Sequence, residues 1–208
     1  FRDSFLIYKD DSIWGMNFVG GGSVFRFYQL SLQLGVLSRR CVAEWDRGHF
    51  VFGTNDIVIT DGQTVKSVVD RKSRNRIFNA IDPTYYKRCF VVPNLVQKEV
   101  WACYPIGGAT ACNQAMVWNW EENTVSFRDL PDIAHAGFGV INPSSTDNTW
   151  DADAQVWDAD SSVWDEQTFN PTQTKIIMAG SVDTKIYLGD DSTSNTENGT
   201  LMLSYLER

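Results

Sequence analysis

The sequence has few of the residues that build metal centres, disulfide frameworks or membrane spans. Its 208 residues include four cysteines and two histidines, and no two cysteines have CxxC spacing, which excludes the usual zinc motifs. The cysteines lie in or beside apolar, strand-like runs, so we expect free, buried thiols. No apolar run reaches the ~18 residues that a membrane-spanning helix needs. The sequence therefore predicts no cofactor, no metal and no membrane span.

Positive charge is missing from one part of the chain. Residues 129–174 contain no Lys or Arg but hold nine of the 26 acidic residues, whereas the remainder has 18 basic and 17 acidic residues. The net charge of −8 therefore belongs to one segment. An acidic balance argues against nucleic-acid binding by the whole surface.

Helix signals are scarce, and short runs of Val, Ile, Phe, Tyr and Trp recur between Gly, Asp and Asn turns. Such runs predict β-strands, and aromatic residues at 13% with charged residues at 21% exclude wholesale disorder. The four clearest strand pairs span residues 5–18, 49–62, 88–105 and 175–191. The one helical signal is a turn over residues 76–82. The predicted class is all-β.

The strand pairs recur with a regular spacing. Their apolar anchors Ile13, Ile57, Val100 and Ile186 are 44, 43 and 86 residues apart. A period of about 43 residues is typical of four-stranded propeller blades. We therefore predict one propeller-like domain over residues 1–208, with a β-sandwich as the runner-up. The anchor missing near residue 143 indicates an inserted acidic loop over residues 143–174.

The inserted loop contains a seven-residue repeat in which each Trp is followed by Asp. Because Trp is enriched at interface anchors, we expect either a solvated loop anchored by its Trp residues or a contact with a partner subunit. A third alternative is a Ca²⁺ site formed by the four aspartates of the two DAD sequences, although the loop lacks the glycine and terminal glutamate of an EF-hand. The candidate interface or channel-lining residues are Trp150, Asp151, Asp153, Trp157, Asp158, Asp160, Trp164, Asp165 and Glu166.

One basic cluster stands out in the sequence, comprising Arg71, Lys72, Arg74 and Arg76. A solvated connection between blades is one interpretation. A contact with phosphate or with an acidic neighbouring subunit is the other.

Signals for catalysis are weak. Nucleophilic catalysis by a Ser-His-Asp or Cys-His device needs a histidine beside the nucleophile, but His49 lies in a strand-like run and His135 among small residues. Both are expected to be structural. No motif selects a carboxylate pair for glycoside hydrolysis, so we predict that the protein is not an enzyme.

Two stretches, GHFVFGTNDIVITDG (48–62) and RIFNAIDPTYYKRCFVVPNLVQKEVWACYP (76–105), resemble the tail nozzle, or tail tubular protein B, family of short-tailed bacteriophages. The Trp-Asp loop followed by Phe169-Asn170-Pro171 is similar to a feature of the same group. Family members are much longer than this chain. Together with Phe1 preceding a strand-like run, this leads us to expect a fragment of a larger protein.

The resemblance implies a non-enzymatic virion structural protein, assembled in the cytoplasm of the bacterial host and located in the phage tail. It implies a β-propeller fold, a homohexameric ring, contacts with other tail proteins, and a channel through which double-stranded DNA passes without sequence-specific binding. In such a channel the acidic loop would either face a neighbour or repel DNA phosphate.

Two other classes of function remain open at this stage. The first is a carbohydrate-active or glycan-binding propeller that uses exposed Trp residues. The second is a propeller scaffold for protein partners.

Overall fold

The computed structural model describes residues 4–140, 174–182, 185–189 and 204–207. Fourteen β-strands and one α-helix occur in these ranges. The strands form three sheets, and every strand pairing within these sheets is antiparallel. The all-β prediction is therefore confirmed.

The first two sheets are consecutive meanders in which each strand pairs with the next along the chain. The first sheet comprises β1 (Ser4–Tyr8), β2 (Ile13–Phe18) and β3 (Phe25–Ser31). The second sheet comprises β4 (Val42–Trp45), β5 (Gly48–Phe52), β6 (Ile57–Thr60) and β7 (Val65–Ser67).

The third sheet is larger and bends along one long strand. It comprises β8 (Phe90–Asn94), β9 (Glu99–Tyr104), β10 (Cys112–Asn119), β11 (Thr124–Val140), β12 (Thr174–Gly180), β13 (Ile186–Gly189) and β14 (Ser204–Glu207). The first part of β11 pairs with β10 and β14, and its second part pairs with β12. The register shifts between Ile133 and His135, where the strand passes from one partner to the other, as a β-bulge would produce.

The four predicted strand pairs are present as the hairpins β1–β2, β5–β6, β8–β9 and β12–β13. The spacing of their anchors does not mark equivalent strands, however. Ile57 lies on the third strand of its sheet and Val100 on the second, and Ile186 belongs to the same sheet as Val100. Hairpin pattern is local, whereas the sheet that a hairpin joins depends on long-range packing.

The second sheet is buried on both faces. Val51 and Val58 pack with residues of the first sheet, and Phe50 and Phe52 pack with Trp118 and other residues of the third sheet. Because successive side chains of a strand point to opposite faces, a strand buried on both faces is apolar at nearly every position. This explains the sequence FVF in β5 and IVI in β6.

The far face of the third sheet is covered by the continuation of the same sheet. Trp101 and Val117, on β9 and β10, pack with Ile133 of β11 and with Ile176 and Met178 of β12. The packing order is therefore the first sheet, the second sheet, the β8–β10 part of the third sheet, and finally its β11–β12 part.

A helix, α1 (Arg71–Ala80), connects the second and third sheets. The predicted helical turn over residues 76–82 covers only the second half of this helix, which begins at Arg71. The Asp70 side chain caps the helix by accepting hydrogen bonds from the backbone N–H groups of Lys72 (3.3 Å) and Ser73 (3.0 Å), and Ile77 is fully buried in the core. An N-cap aspartate followed by buried side chains on one helix face stabilises a helix. In the described ranges, no helix is long and apolar enough to cross a membrane.

The predicted acidic insertion falls between two paired strands. Val140 at the end of β11 is opposite Thr174 at the start of β12, so the segment leaves and re-enters the third sheet at adjacent positions. Residues 141–173 themselves lie outside the described residues.

Candidate functional site

Four basic side chains line one cavity of about 250 Å³: Arg39, Arg40, Lys87 and Arg88. Arg39 and Arg40 lie just before β4, the first strand of the second sheet, and Lys87 and Arg88 lie just before β8, the first strand of the third sheet. Two dipeptides that are distant in the sequence therefore meet at one cavity, which we call the basic pocket.

Hydrogen bonds between the two sheets hold the two dipeptides side by side. The backbone N–H of Val91 donates to the carbonyl oxygen of Arg40 at 2.9 Å. The Ser38 hydroxyl donates to the carbonyl oxygen of Cys89 at 2.7 Å. Because these bonds join the backbone at residues 38–40 to the backbone at residues 89–91, they hold the two dipeptides next to each other.

The sequence carries a signal for this pocket that the sequence analysis missed. The order basic, basic, cysteine, apolar occurs at residues 39–42 and again at 87–90. Both cysteines are fully buried, and the Cys41 thiol donates to the carbonyl oxygen of Cys89 at 3.3 Å across 48 residues of sequence. Each buried cysteine thus anchors the end of a strand and leaves the preceding basic pair at the surface.

The basic pocket is lined by charged side chains of one sign. Within the described residues, none of the four basic side chains forms an ion pair. The Arg88 guanidinium donates to the carbonyl oxygen of Thr110 and lies 4.9 Å from the centre of the Tyr85 ring, so its orientation is set from two sides. A concave surface with charge of one sign attracts counter-ions.

His135 is the next residue after Ala134 of the pocket wall, and its ring centre lies 5.2 Å from that of Phe90. Burial lowers the pKa of His135, and the positive charge of Arg40 lowers it further. His49 lies elsewhere, with its Nδ1 2.7 Å from the Tyr8 hydroxyl, and burial lowers its pKa too. A lowered pKa leaves both imidazoles neutral at pH 7.

The predicted basic cluster at residues 71–76 lies in the first part of α1, which connects the second and third sheets. The Arg74 Nε atom lies 2.9 Å from Asp56 Oδ1, and the Arg76 guanidinium lies 4.1 Å from the centre of the Phe127 ring. These contacts attach the helix to the second and third sheets. Arg71 and Lys72 are exposed.

The predicted acidic and Trp residues of the insertion, Trp150 to Glu166, lie outside the described residues. The alternatives of a subunit contact, a solvated loop or a Ca²⁺ site therefore stay predictions. Elsewhere, within the ranges that the structure describes, no three His, Cys, Asp or Glu side chains are grouped so that they could hold a metal ion.

All four cysteines are buried and free, as the sequence predicted. Burial raises the pKa of Cys41 to about 11 and that of Cys112 to about 12. Burial also raises the pKa of Cys89 and Cys103. The thiolate is the form of cysteine that acts as a nucleophile or metal ligand. Because a raised pKa disfavours the thiolate, these cysteines have the properties of core residues.

The outer face of the first sheet carries an uncovered group of aromatic side chains. Phe5, Phe18, Phe25 and Phe27 are between 49% and 71% exposed. In the strand register Phe5 is opposite Met16 and Met16 opposite Phe27, while Phe18 is opposite Phe25, so all five side chains share one face. We call this surface the aromatic face. Soluble monomers rarely expose large contiguous apolar patches.

A second apolar surface lies on the β12–β13 hairpin, which forms the last layer of the packing order. Ile177 is opposite Leu188 and Ala179 is opposite Ile186. These four side chains point away from the buried Ile176 and Met178, and Ile186 is 72% exposed. We call this surface the β12–β13 face.

A scan against protein-family models and a search of curated proteins both gave no match to the chain.

Proposed function

We propose that the chain is a non-enzymatic structural subunit of a bacteriophage tail nozzle, which acts by assembling into a homo-oligomeric ring around a DNA channel. The observation that carries the assembly proposal is the aromatic face, an uncovered apolar sheet surface with four exposed phenylalanines. The link to phage tails comes from the resemblance of residues 48–62 and 76–105 to that family. These residues form β5, β6, α1, β8 and β9, which build the core between the second and third sheets.

The proposed architecture is of the propeller type. In a propeller, successive antiparallel meanders stack face to face with their first strands side by side. Two features support this: the second sheet is buried between the first and third sheets, and the N–H of Val91 in β8 donates to the carbonyl of Arg40 beside β4. The bent β11 and the β12–β13 hairpin continue the series beyond β10.

The proposed occupant of the aromatic face is a second copy of the chain. Both faces of the first sheet are apolar, since Ile13 and Leu6 are buried on the inner face and the phenylalanines lie on the outer face. Inside the molecule, apolar sheet faces are covered by further sheets. We infer that the same packing order continues between copies, with the β12–β13 face of one copy against the aromatic face of the next.

A contact between two different surfaces is heterologous, and repeating it gives a closed ring when the rotation closes. This supports a ring rather than a two-fold dimer. The resemblance implies six subunits, together with contacts to other tail proteins and passage of double-stranded DNA without base-specific binding.

The assembly proposal is tested by placing a charge on each face. We expect Phe27→Asp and Ile186→Asp each to convert the assembly to monomers in analytical ultracentrifugation, because a buried unpaired carboxylate is strongly unfavourable. An equimolar mixture of the two variants keeps one intact face of each kind, so it should form dimers and nothing larger.

Leu95→Asp is the matched control. Leu95 is 62% exposed, close to the 59% of Phe27, but it lies in the turn between β8 and β9. Its assembly should equal that of the wild type. A wild type that stays monomeric at about 100 μM, above the range in which specific interfaces of standard size associate, would rule the proposal out. So would a Phe27→Asp variant that assembles normally.

A further inference from the structure

The basic pocket has the construction of an anion site. Its four cations come from two dipeptides at the starts of β4 and β8, and the bonds from Val91 and Ser38 fix the backbone of both. A backbone that is held in place reduces the conformational entropy lost when a ligand binds. The Arg88 guanidinium is further oriented by the Thr110 carbonyl and the Tyr85 ring.

The size and charge of the pocket select the class of anion. The cavity of about 250 Å³ is several times the ~30 Å³ that a water molecule occupies in the liquid, so it has room for a polyatomic anion with some of its water. Three arginines and one lysine line it, and the planar guanidinium matches the spacing of phosphate oxygens in bidentate contacts. The hydroxyls of Thr110 and Ser181 also belong to residues of the pocket wall.

We propose that the basic pocket binds a phosphate group, held by Arg39, Arg40, Lys87 and Arg88. The phosphate can come from a free ion or from a nucleic-acid backbone, since both present the same oxygens to the same cations. This inference is independent of the proposed ring, because all four residues belong to one chain.

The two histidines of the chain provide an internal comparison. His135 is the next residue after Ala134 of the pocket wall, whereas the Nδ1 atom of His49 lies 2.7 Å from the Tyr8 hydroxyl. In protein labelled with ¹³C at histidine Cε1, titration with inorganic phosphate or pyrophosphate at constant ionic strength should shift the His135 signal saturably. The His49 signal should stay in place, and sodium chloride should not reproduce the shift.

Variants matched in charge separate a site from general attraction. The double variant Arg39→Gln with Lys87→Gln removes two pocket charges and should weaken pyrophosphate binding at least tenfold in calorimetry. The double variant Arg47→Gln with Lys66→Gln removes two exposed charges of the second sheet. It should change the affinity for pyrophosphate less than twofold. An unchanged His49 signal shows that each variant is folded.

A labelled double-stranded oligonucleotide distinguishes the two sources of phosphate. If pyrophosphate competes with it, and the pocket variant lowers the salt dependence by about two counterions, the pocket takes backbone phosphates. If only the free ions bind, the source is a free phosphate. A His135 signal that phosphate does not move, or an equal loss of binding in both double variants, overturns the proposal.

Discussion

Trp118→Ala should lower the free energy of unfolding by about 3–5 kcal/mol, the range for removing a buried aromatic side chain. Trp118 is only 3% exposed. Its ring is stacked on that of Phe50 at 5.7 Å and meets that of Trp45 edge-on at 5.2 Å, and both partners belong to the second sheet. The truncation therefore opens a cavity at the interface between the second and third sheets.

The measurement is urea unfolding at one fixed protein concentration, because association shifts apparent stability. Trp118→Phe keeps an aromatic ring at the interface, so its free energy of unfolding should fall by roughly half as much. This variant provides the test if the alanine variant does not fold. Leu95→Ala, at an exposed apolar position, should stay within about 0.5 kcal/mol of the wild type. A loss below about 1 kcal/mol for Trp118→Ala would mean that the two sheets do not pack at this point.

Gly35→Ala should lower the free energy of unfolding by about 3 kcal/mol, at the upper end of overpacking costs. A Cβ atom at Gly35 would lie 1.9 Å from the carbonyl oxygen of Asp10, and a backbone atom cannot turn aside as a flexible side chain can. The same stretch is held by two further bonds, from the Thr54 N–H to the Gly35 carbonyl and from the Val36 N–H to the Lys9 carbonyl, each 3.0 Å long. Gly35 therefore lies where the connection from β3 to β4 crosses the β1–β2 turn.

Gly22→Ala is the matched control for this substitution. An added Cβ at Gly22 meets nothing within 4 Å, so the only effect is on the unfolded chain, and stability should stay equal or rise by up to about 1 kcal/mol. Urea unfolding of the two variants side by side decides the matter. If the free energies of unfolding of the two variants differ by less than about 1 kcal/mol, Gly35 does not lie as close to Asp10 as the structure shows.

The hairpins were predictable from the sequence because their signal is local. Alternating apolar residues and a short turn define β8–β9 around Asn94 and β5–β6 around Asn55, and each strand finds its partner within a few residues. Only the second half of helix α1 was predicted, because the N-cap at Asp70 and the buried position of Ser73 were not recognised in the basic stretch before Arg76.

The packing of sheets and the basic pocket were not predictable in the same way. Regular spacing suggested that Ile57 and Val100 hold equivalent positions, but sheet membership is decided by contacts between distant residues such as Trp45 and Trp118. The pocket joins Arg40 and Lys87, and only the repeated basic-basic-cysteine order hints that they meet. The composition of the chain points instead to the acidic segment at residues 129–174.

The central claim is that the aromatic face of one copy packs on the β12–β13 face of the next. Single-particle electron microscopy of the assembled wild-type protein tests this most directly. We predict closed rings, six-fold by the family resemblance, in which Phe27 of each subunit lies against Ile186 of its neighbour. Monomers with an uncovered aromatic face, or two-fold dimers joined through like faces, would contradict it.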